Sequence, residues 1–333
     1  MGPAPRTAWE DTDGRGFEAI VTSMGEASSS RRLLGGRGNR AARSVGAVPP
    51  PVLVVTSMIS LQVGAAFAKQ LFAMAGATGV SALRLGFAAL VLLILVRPSL
   101  RMDRRTLLVI VGYGAVLAAM NMSIYQAFAR IPLGVAVTIE FLGPLSVAVF
   151  GSRRKLDVLW AGLAAVGVLL LSRIEGGLDP VGVSFALLAG AFWAGYILMG
   201  AKLGDHTKGG SGLALGMVVG ALVATPFGIV GSGEALLQPT ALAVGLLVAL
   251  MSSVLPYSLE LEALRRIPPR VFGVLMSLEP AVAALAGLVV LGEALGSVQW
   301  LAIGCVVLAS VGATRGSGSQ PKGGAGAREA CAD

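Results

Sequence analysis

The sequence predicts an all-α membrane protein of ten transmembrane helices arranged as two inverted five-helix repeats, and three observations carry that prediction. Of 333 residues, 55% are apolar and 13% charged, where a soluble domain has about 25% charged. From Val52 to Thr314 the chain is a train of apolar runs, each near the ~20 residues a helix needs to cross a bilayer. One phrase also recurs: Arg130-Ile131-Pro132 with Pro144 downstream, then Arg266-Ile267-Pro268 with Pro280 downstream, each member displaced by the same 136 residues.

The ten runs lie at approximately 52–72, 79–96, 106–126, 132–150, 157–172, 181–200, 211–230, 240–262, 268–290 and 297–314. They are solidly apolar, which excludes the alternating segments of a membrane barrel and leaves helices as the spanning form. Pro132 and Pro268 fall at the first turn of their helices, where a missing N–H costs nothing. Pro144 and Pro280 are mid-span; there a proline removes an intrahelical hydrogen bond and kinks the helix, and the kinks are expected to line a cavity. Gly212, Gly216 and Gly220 form a small-residue ladder in run seven, a signature of close helix contact.

Charge placement predicts topology. The loops after runs two, four, six, eight and ten carry 15 basic residues, among them Arg97, Arg101, Arg153, Arg154, Lys202, Lys208, Arg265 and Arg266; the other side has Arg130 and Arg173. The positive-inside rule puts those loops and both termini in the cytoplasm, so the net charge of +8 reports orientation and does not imply nucleic acid. Residues 1–50 and 315–333 read as disordered cytoplasmic tails, flanking a first repeat at 51–174 and a second at 175–314. Five spans per repeat is an odd number, so the second repeat enters the membrane upside down. A weaker echo of Gly64-Ala65-Ala66-Phe67-Ala68 in Gly190-Ala191-Phe192-Trp193-Ala194 agrees. Inverted repeats are the architecture of alternating-access transporters.

Ionisable residues at membrane depth are functional candidates by default. Glu140 lies about 12 Å into run four and Glu279 about 16 Å into run nine at helical rise, each near the midplane and close to a kinking proline. Lys69 is also within a span; Arg84 is placed near enough to the interface to snorkel. A zwitterionic solute needs a cation or helix N-terminus for its carboxylate and an acid for its ammonium, and a carboxyl withdrawn from water can carry a proton and couple transport to a gradient. The bland alternative is that Lys69 or Arg84 neutralises an acid. Polar neighbours at helical spacing extend the candidate set: Gln62 with Lys69, Asn121 with Tyr125, Trp193 with Tyr196, and Ser253 with Tyr257 and Glu260. The tyrosines and Trp193 could equally serve as interfacial aromatics. Glu262 is expected to form an ion pair with Arg265 or Arg266. A lone His206 and no clustered cysteines argue against a metal or a disulfide. With no HExxH, GxSxG or phosphate loop, the chain is not expected to be an enzyme or to need a cofactor.

Longer phrases then suggest a family. They are Gly79-Val80-Ser81-Ala82-Leu83-Arg84-Leu85, Ile131-Pro132-Leu133-Gly134-Val135-Ala136-Val137, Glu140-Phe141-Leu142-Gly143-Pro144, Ser152-Arg153-Arg154, Leu255-Pro256-Tyr257-Ser258-Leu259-Glu260, Phe272-Gly273-Val274-Leu275-Met276-Ser277-Leu278-Glu279-Pro280 and Leu291-Gly292-Glu293. With them the chain resembles the EamA-type ten-helix branch of the drug/metabolite transporter superfamily, and within it the threonine/homoserine exporters. The resemblance covers about residues 50 to 314. It implies efflux of small neutral amino acids by proton antiport, across the bacterial inner membrane. The same acids would serve a transporter of another small metabolite or drug; a non-transporting scaffold would leave the repeat and the midplane acids unexplained.

Overall fold

The structure, a computed structural model, describes residues 48–99, 101–150, 155–171, 177–207, 210–264, 266–267 and 269–316. The expected tails, the phrase Ser152-Arg153-Arg154, Arg173, Lys208, Arg265 and Pro268 lie wholly or largely outside the described residues. Among the described residues there is no strand. Five helices are long and apolar enough to cross a membrane, with shorter apolar helices between them.

Runs one and two form a single element, α1 (Pro50–Val96), of 47 residues. A straight helix of that length would be about 70 Å long, more than twice the hydrocarbon thickness. It is broken at Gly76, where φ is 59° and ψ 167°, a conformation that disfavours any residue with a Cβ. The limbs 50–75 and 77–96 correspond to the two predicted runs. Next comes α2 (Arg104–Phe128), capped by Asp103, which accepts hydrogen bonds from the Arg105 amide and the Thr106 hydroxyl. The bond from Thr106 holds the Asp103 carboxyl below the usual carboxylate range.

Run four is split into α3 (Leu133–Glu140) and α4 (Leu142–Phe150) by a turn at Phe141. Pro144 has no N–H to offer the Glu140 carbonyl four residues back, so the helix breaks one turn before the proline. Then follow α5 (Lys155–Leu171), α6 (Pro180–His206) and α7 (Ser211–Ser232). A short 3-10 turn leads to α8 (Pro239–Ala249), and a π turn at Leu250–Val254 leads to α9 (Leu255–Leu264). Run nine is also split, into α10 (Pro269–Met276) and α11 (Glu279–Leu291), with Pro280 in the first turn of α11. The last helix is α12 (Ser297–Gly316).

Small residues set the packing, as expected where lipid tails compete with side chains for apolar surface. The limb 77–96 lies on α7, with Ala82 against Gly228. In the same way α2 lies on α6 and α7, and α5 pairs with α12 through Trp160 against Gly312. Large apolar side chains such as Leu108, Leu159, Leu222, Val289 and Leu308 are exposed, while Gln62, Asn121, Glu140, Ser252 and Glu279 are buried. That inversion of the soluble pattern is what a bilayer solvent selects.

The closest approach of interest is α3 on α11. A Cβ at Gly134 would lie 2.5 Å from the Ala284 Cα, so only glycine admits the contact. Gly134→Val is expected to lower stability by about 1–3 kcal/mol. Gly86→Ala, where a Cβ meets open space, should stabilise by about 0.5–1 kcal/mol through helix propensity. Thermal unfolding of the detergent-solubilised variants measures both.

The repeated phrase makes the same turn twice. The amides of Arg130 and Ile131 both donate to the Ala127 carbonyl, at 2.9 and 2.9 Å, and those of Arg266 and Ile267 to the Ala263 carbonyl, at 2.9 and 3.0 Å. Arg130 reaches back to the Gln126 side chain, and Arg266 to Glu262; the second is the ion pair the sequence predicted for Glu262. Lys69 binds the Ile131 carbonyl, whereas Arg266 binds the Val48 carbonyl beside the start of α1. From Pro50 to Lys69 is about 28 Å at helical rise. The two turns therefore stand at opposite ends of the limb 50–75.

Candidate functional site

The acids Glu140 and Glu279 meet because α3 and α11 run antiparallel about Gly134. Leu133 lies against Gly287 and Gly134 against Ala284, which carries Glu140, at the end of α3, to the level of Glu279, at the start of α11. Both are buried and within electrostatic reach of each other and, for Glu140, of Arg84. Each acid stands at the break its helix owes to the following proline. The Glu140 carbonyl faces the backbone of Gly190 on α6, where a Cβ would lie 2.8 Å away.

Around the acids the neighbours are polar and specific. Gln62, on the limb 50–75, donates from Nε2 to Glu279 Oε1 at 3.0 Å. The remaining oxygens, Gln62 Oε1 and Glu279 Oε2, are buried without a hydrogen-bond partner among the described residues. Native structures leave few such groups, and each calls for a functional or structural reason. Arg84, on the limb 77–96, turns inward. It donates to the Tyr125 hydroxyl (3.3 Å), the Ser252 carbonyl (3.1 Å) and Ser253 Oγ (3.4 Å), with its guanidinium 5.5 Å from the centre of the Tyr125 ring. The expected snorkelling does not occur: the break at Gly76 starts a fresh limb, and Arg84 is seven residues, about 10 Å, along it. The Ser252 carbonyl belongs to the π turn, a distortion that often marks functional sites.

Of the other candidates, Tyr125 is fully buried against Phe72 and Phe128 as well as Arg84. Trp193 stands edge-on to Phe141, 5.5 Å between ring centres, so it adjoins the break beside Glu140. Asn121 is buried one turn from Tyr125 and donates back to the Leu117 carbonyl at 2.9 Å. Tyr196 packs on Tyr113 at 4.9 Å between ring centres, between α6 and α2. Tyr257 is on α9, one turn beyond Ser253, and its side chain lies outside the described residues. Pro144 is half-buried and Pro280 buried.

Lys69 is elsewhere. Its ammonium binds Glu293 Oε1 at 2.5 Å and the Ile131 carbonyl at 3.0 Å, while Glu293 Oε2 accepts from the Leu133 amide at 2.7 Å. One carboxylate thus ties α1, the start of α3 and the loop after α11 into a clasp at one end of the bundle. At the other end stands the pair Glu262–Arg266 with the Val48 carbonyl.

Gln62 and Arg84 join the acids at the site, and Glu260 lies one step away from them. Gln62 and Arg84 were visible as polar residues within apolar runs, but their facing depends on tertiary packing. Glu260 accepts from Ser57 Oγ at 3.2 Å and lies within electrostatic reach of Glu279. Its signal was the spacing of seven from Ser253, which puts both on one face of a helix. Among the described residues no group of side chains is suited to hold a metal ion.

The model of the EamA-like transporter family matches residues 180–315. Over 269 residues the chain is 44% identical to the threonine/homoserine exporter RhtA of Escherichia coli K12, covering 80% of this chain and 91% of that protein. RhtA of Salmonella typhimurium SL1344 is 43% identical with the same coverage. The uncharacterized inner membrane transporter YedA of Escherichia coli K12 is 29% identical over 230 residues, 63% of this chain and 69% of that protein.

Proposed function

The chain belongs to the EamA-like transporter family, and from that premise we propose that it exports small neutral amino acids such as threonine and homoserine from the bacterial cytoplasm, by alternating access coupled to proton antiport. The carrying observation is the likeness to the threonine/homoserine exporter RhtA, 44% over 91% of that protein. The site suits such a solute. An ammonium fits the facing carboxylates of Glu140 and Glu279, with Gln62 and the unpartnered Glu279 oxygen beside them. A carboxylate fits Arg84, whose planar fork already spans the Tyr125 hydroxyl and the Ser252 carbonyl.

Ten helices in two inverted halves make the mechanism. Support comes from the identical turns at Arg130 and Arg266 at opposite ends of α1, and from breaks at matching places before Pro144 and Pro280. With the arginine-rich loops and both termini in the cytoplasm, the clasp of Lys69 and Glu293 closes the outer end and that of Glu262 and Arg266 the inner end. Exchanging which end is closed exposes Glu140 and Glu279 to one side and then the other. A proton taken up by the acids from outside balances each zwitterion released there.

The test is efflux of radiolabelled threonine and homoserine from preloaded proteoliposomes, with and without a proton gradient. Saturable, gradient-stimulated flux is expected. Well-inserted protein that moves neither solute would overturn the substrate reading.

A further inference from the structure

We propose that Glu260, oriented by Ser57, is the relay that carries a proton between Glu279 and the cytoplasmic end of the bundle. The proposal rests on the antiport reading above and assigns it a route.

The geometry is a ladder along the limb 50–75. Ser57 Oγ lies 3.2 Å from Glu260 Oε1 and shares its one proton with the Val54 carbonyl at 2.8 Å, Ser60 Oγ donates to the Met251 carbonyl at 2.8 Å, and Gln62 Nε2 to Glu279 Oε1 at 3.0 Å. Ser57 and Gln62 are five residues apart, about 7.5 Å along the axis. Glu260 therefore stands one step from Glu279 on the way to the Pro50 end, where Glu262 and Arg266 close the bundle. Glu260 is half-buried, and among the described residues no cation is paired with it. A carboxylate within a span, beside a hydroxyl and with no counter-ion among the described residues, is poorly explained as a structural ion pair.

The groups facing it are few. From α1 it meets Ser57, which does not titrate; Arg84 is engaged with Tyr125 and the π turn, and Lys69 with Glu293. From α11 it feels Glu279. Its own helix carries Glu262, already paired with Arg266. The Arg270 side chain on the adjoining α10 lies outside the described residues.

The step balances simply. With the inner end open, the proton on the Glu279 carboxyl passes to the Glu260 carboxylate and from there to cytoplasmic water. Glu279 is left as the carboxylate that the next ammonium needs, and no other bond changes. One proton enters for each solute that leaves.

The test separates net flux from exchange. Wild type, Glu260→Gln and Glu260→Asp are reconstituted, and labelled threonine is followed both as efflux driven by a proton gradient and as threonine–threonine exchange at equal pH. Glu260→Gln should lose at least tenfold of the gradient-driven flux while keeping at least half of the exchange, and Glu260→Asp should recover the gradient response. Gradient-driven wild-type flux that Glu260→Gln leaves unchanged overturns the relay alone. So does an equal loss of flux and exchange in folded Glu260→Gln. Wild-type flux indifferent to the gradient removes the antiport reading and the relay with it.

Discussion

Glu279→Gln should cut export steeply while leaving the protein folded and in the membrane. The amide keeps an acceptor for Gln62 Nε2, the bond that now measures 3.0 Å, but it cannot carry the charge an ammonium needs. A hydrogen bond to a charged group is worth about 1.5–3 kcal/mol, so the loss in transport should be roughly 10- to 150-fold. Glu279→Ala differs in kind: it strips Gln62 of its buried partner and should also lower stability, by about 1–3 kcal/mol. Glu140→Gln should likewise cut transport, yet be as stable as wild type or more so, because it removes one of two facing carboxylates. Such a pairing of lost activity with retained stability is the mark of groups kept for function. Flux and thermal unfolding on the same preparations read both effects. If Glu279→Gln fails to fold, the acid is structural.

The second large effect belongs to the clasp proposed to close the outer end. Glu293→Gln takes the counter-charge from Lys69 and weakens the acceptor for the Leu133 amide. The side chains are 21% and 18% exposed, between the surface and buried regimes, so breaking the pair should cost about 2 kcal/mol. That is roughly a 30-fold shift of the equilibrium toward an open outer end. Lys69→Met leaves Glu293 unpaired and should shift it in the same direction. The double variant Lys69→Met with Glu293→Gln should be less perturbed than the two single effects added, because neither charge is then left alone. Accessibility of an outer-side cysteine to an impermeant maleimide follows the shift. Singles and double that all label like wild type would show that the clasp holds nothing closed.

Much of this could be read from the chain because it is local. An apolar run of bilayer length has no other use, and the turn at Arg130 and Arg266 is written by the proline that follows each. The acids at Glu140 and Glu279 stood out because a charge inside such a run is costly. What escaped depends on distant partners. Lys69 meets a carboxylate 224 residues away, and Gln62 bonds one 217 residues away. Lys69 was grouped with the acids by type and depth, and its ammonium binds Glu293 and the Ile131 carbonyl at one end of the bundle. Arg84 was judged from its distance along a run whose start the turn at Gly76 redefines. Glu260 was grouped with Ser253 and Tyr257 by helical spacing, and only its contact with Ser57 across the bundle shows which element it faces.

The central claim is that one buried site opens alternately to both sides of the membrane. Ala66 is fully buried one turn from Gln62 on the same face of α1. In a chain whose Cys305 and Cys331 are replaced by alanine, Ala66→Cys should react with an impermeant maleimide added from either side, and threonine should slow both reactions. Labelling from one side alone, at a rate threonine does not change, would contradict alternating access through this site.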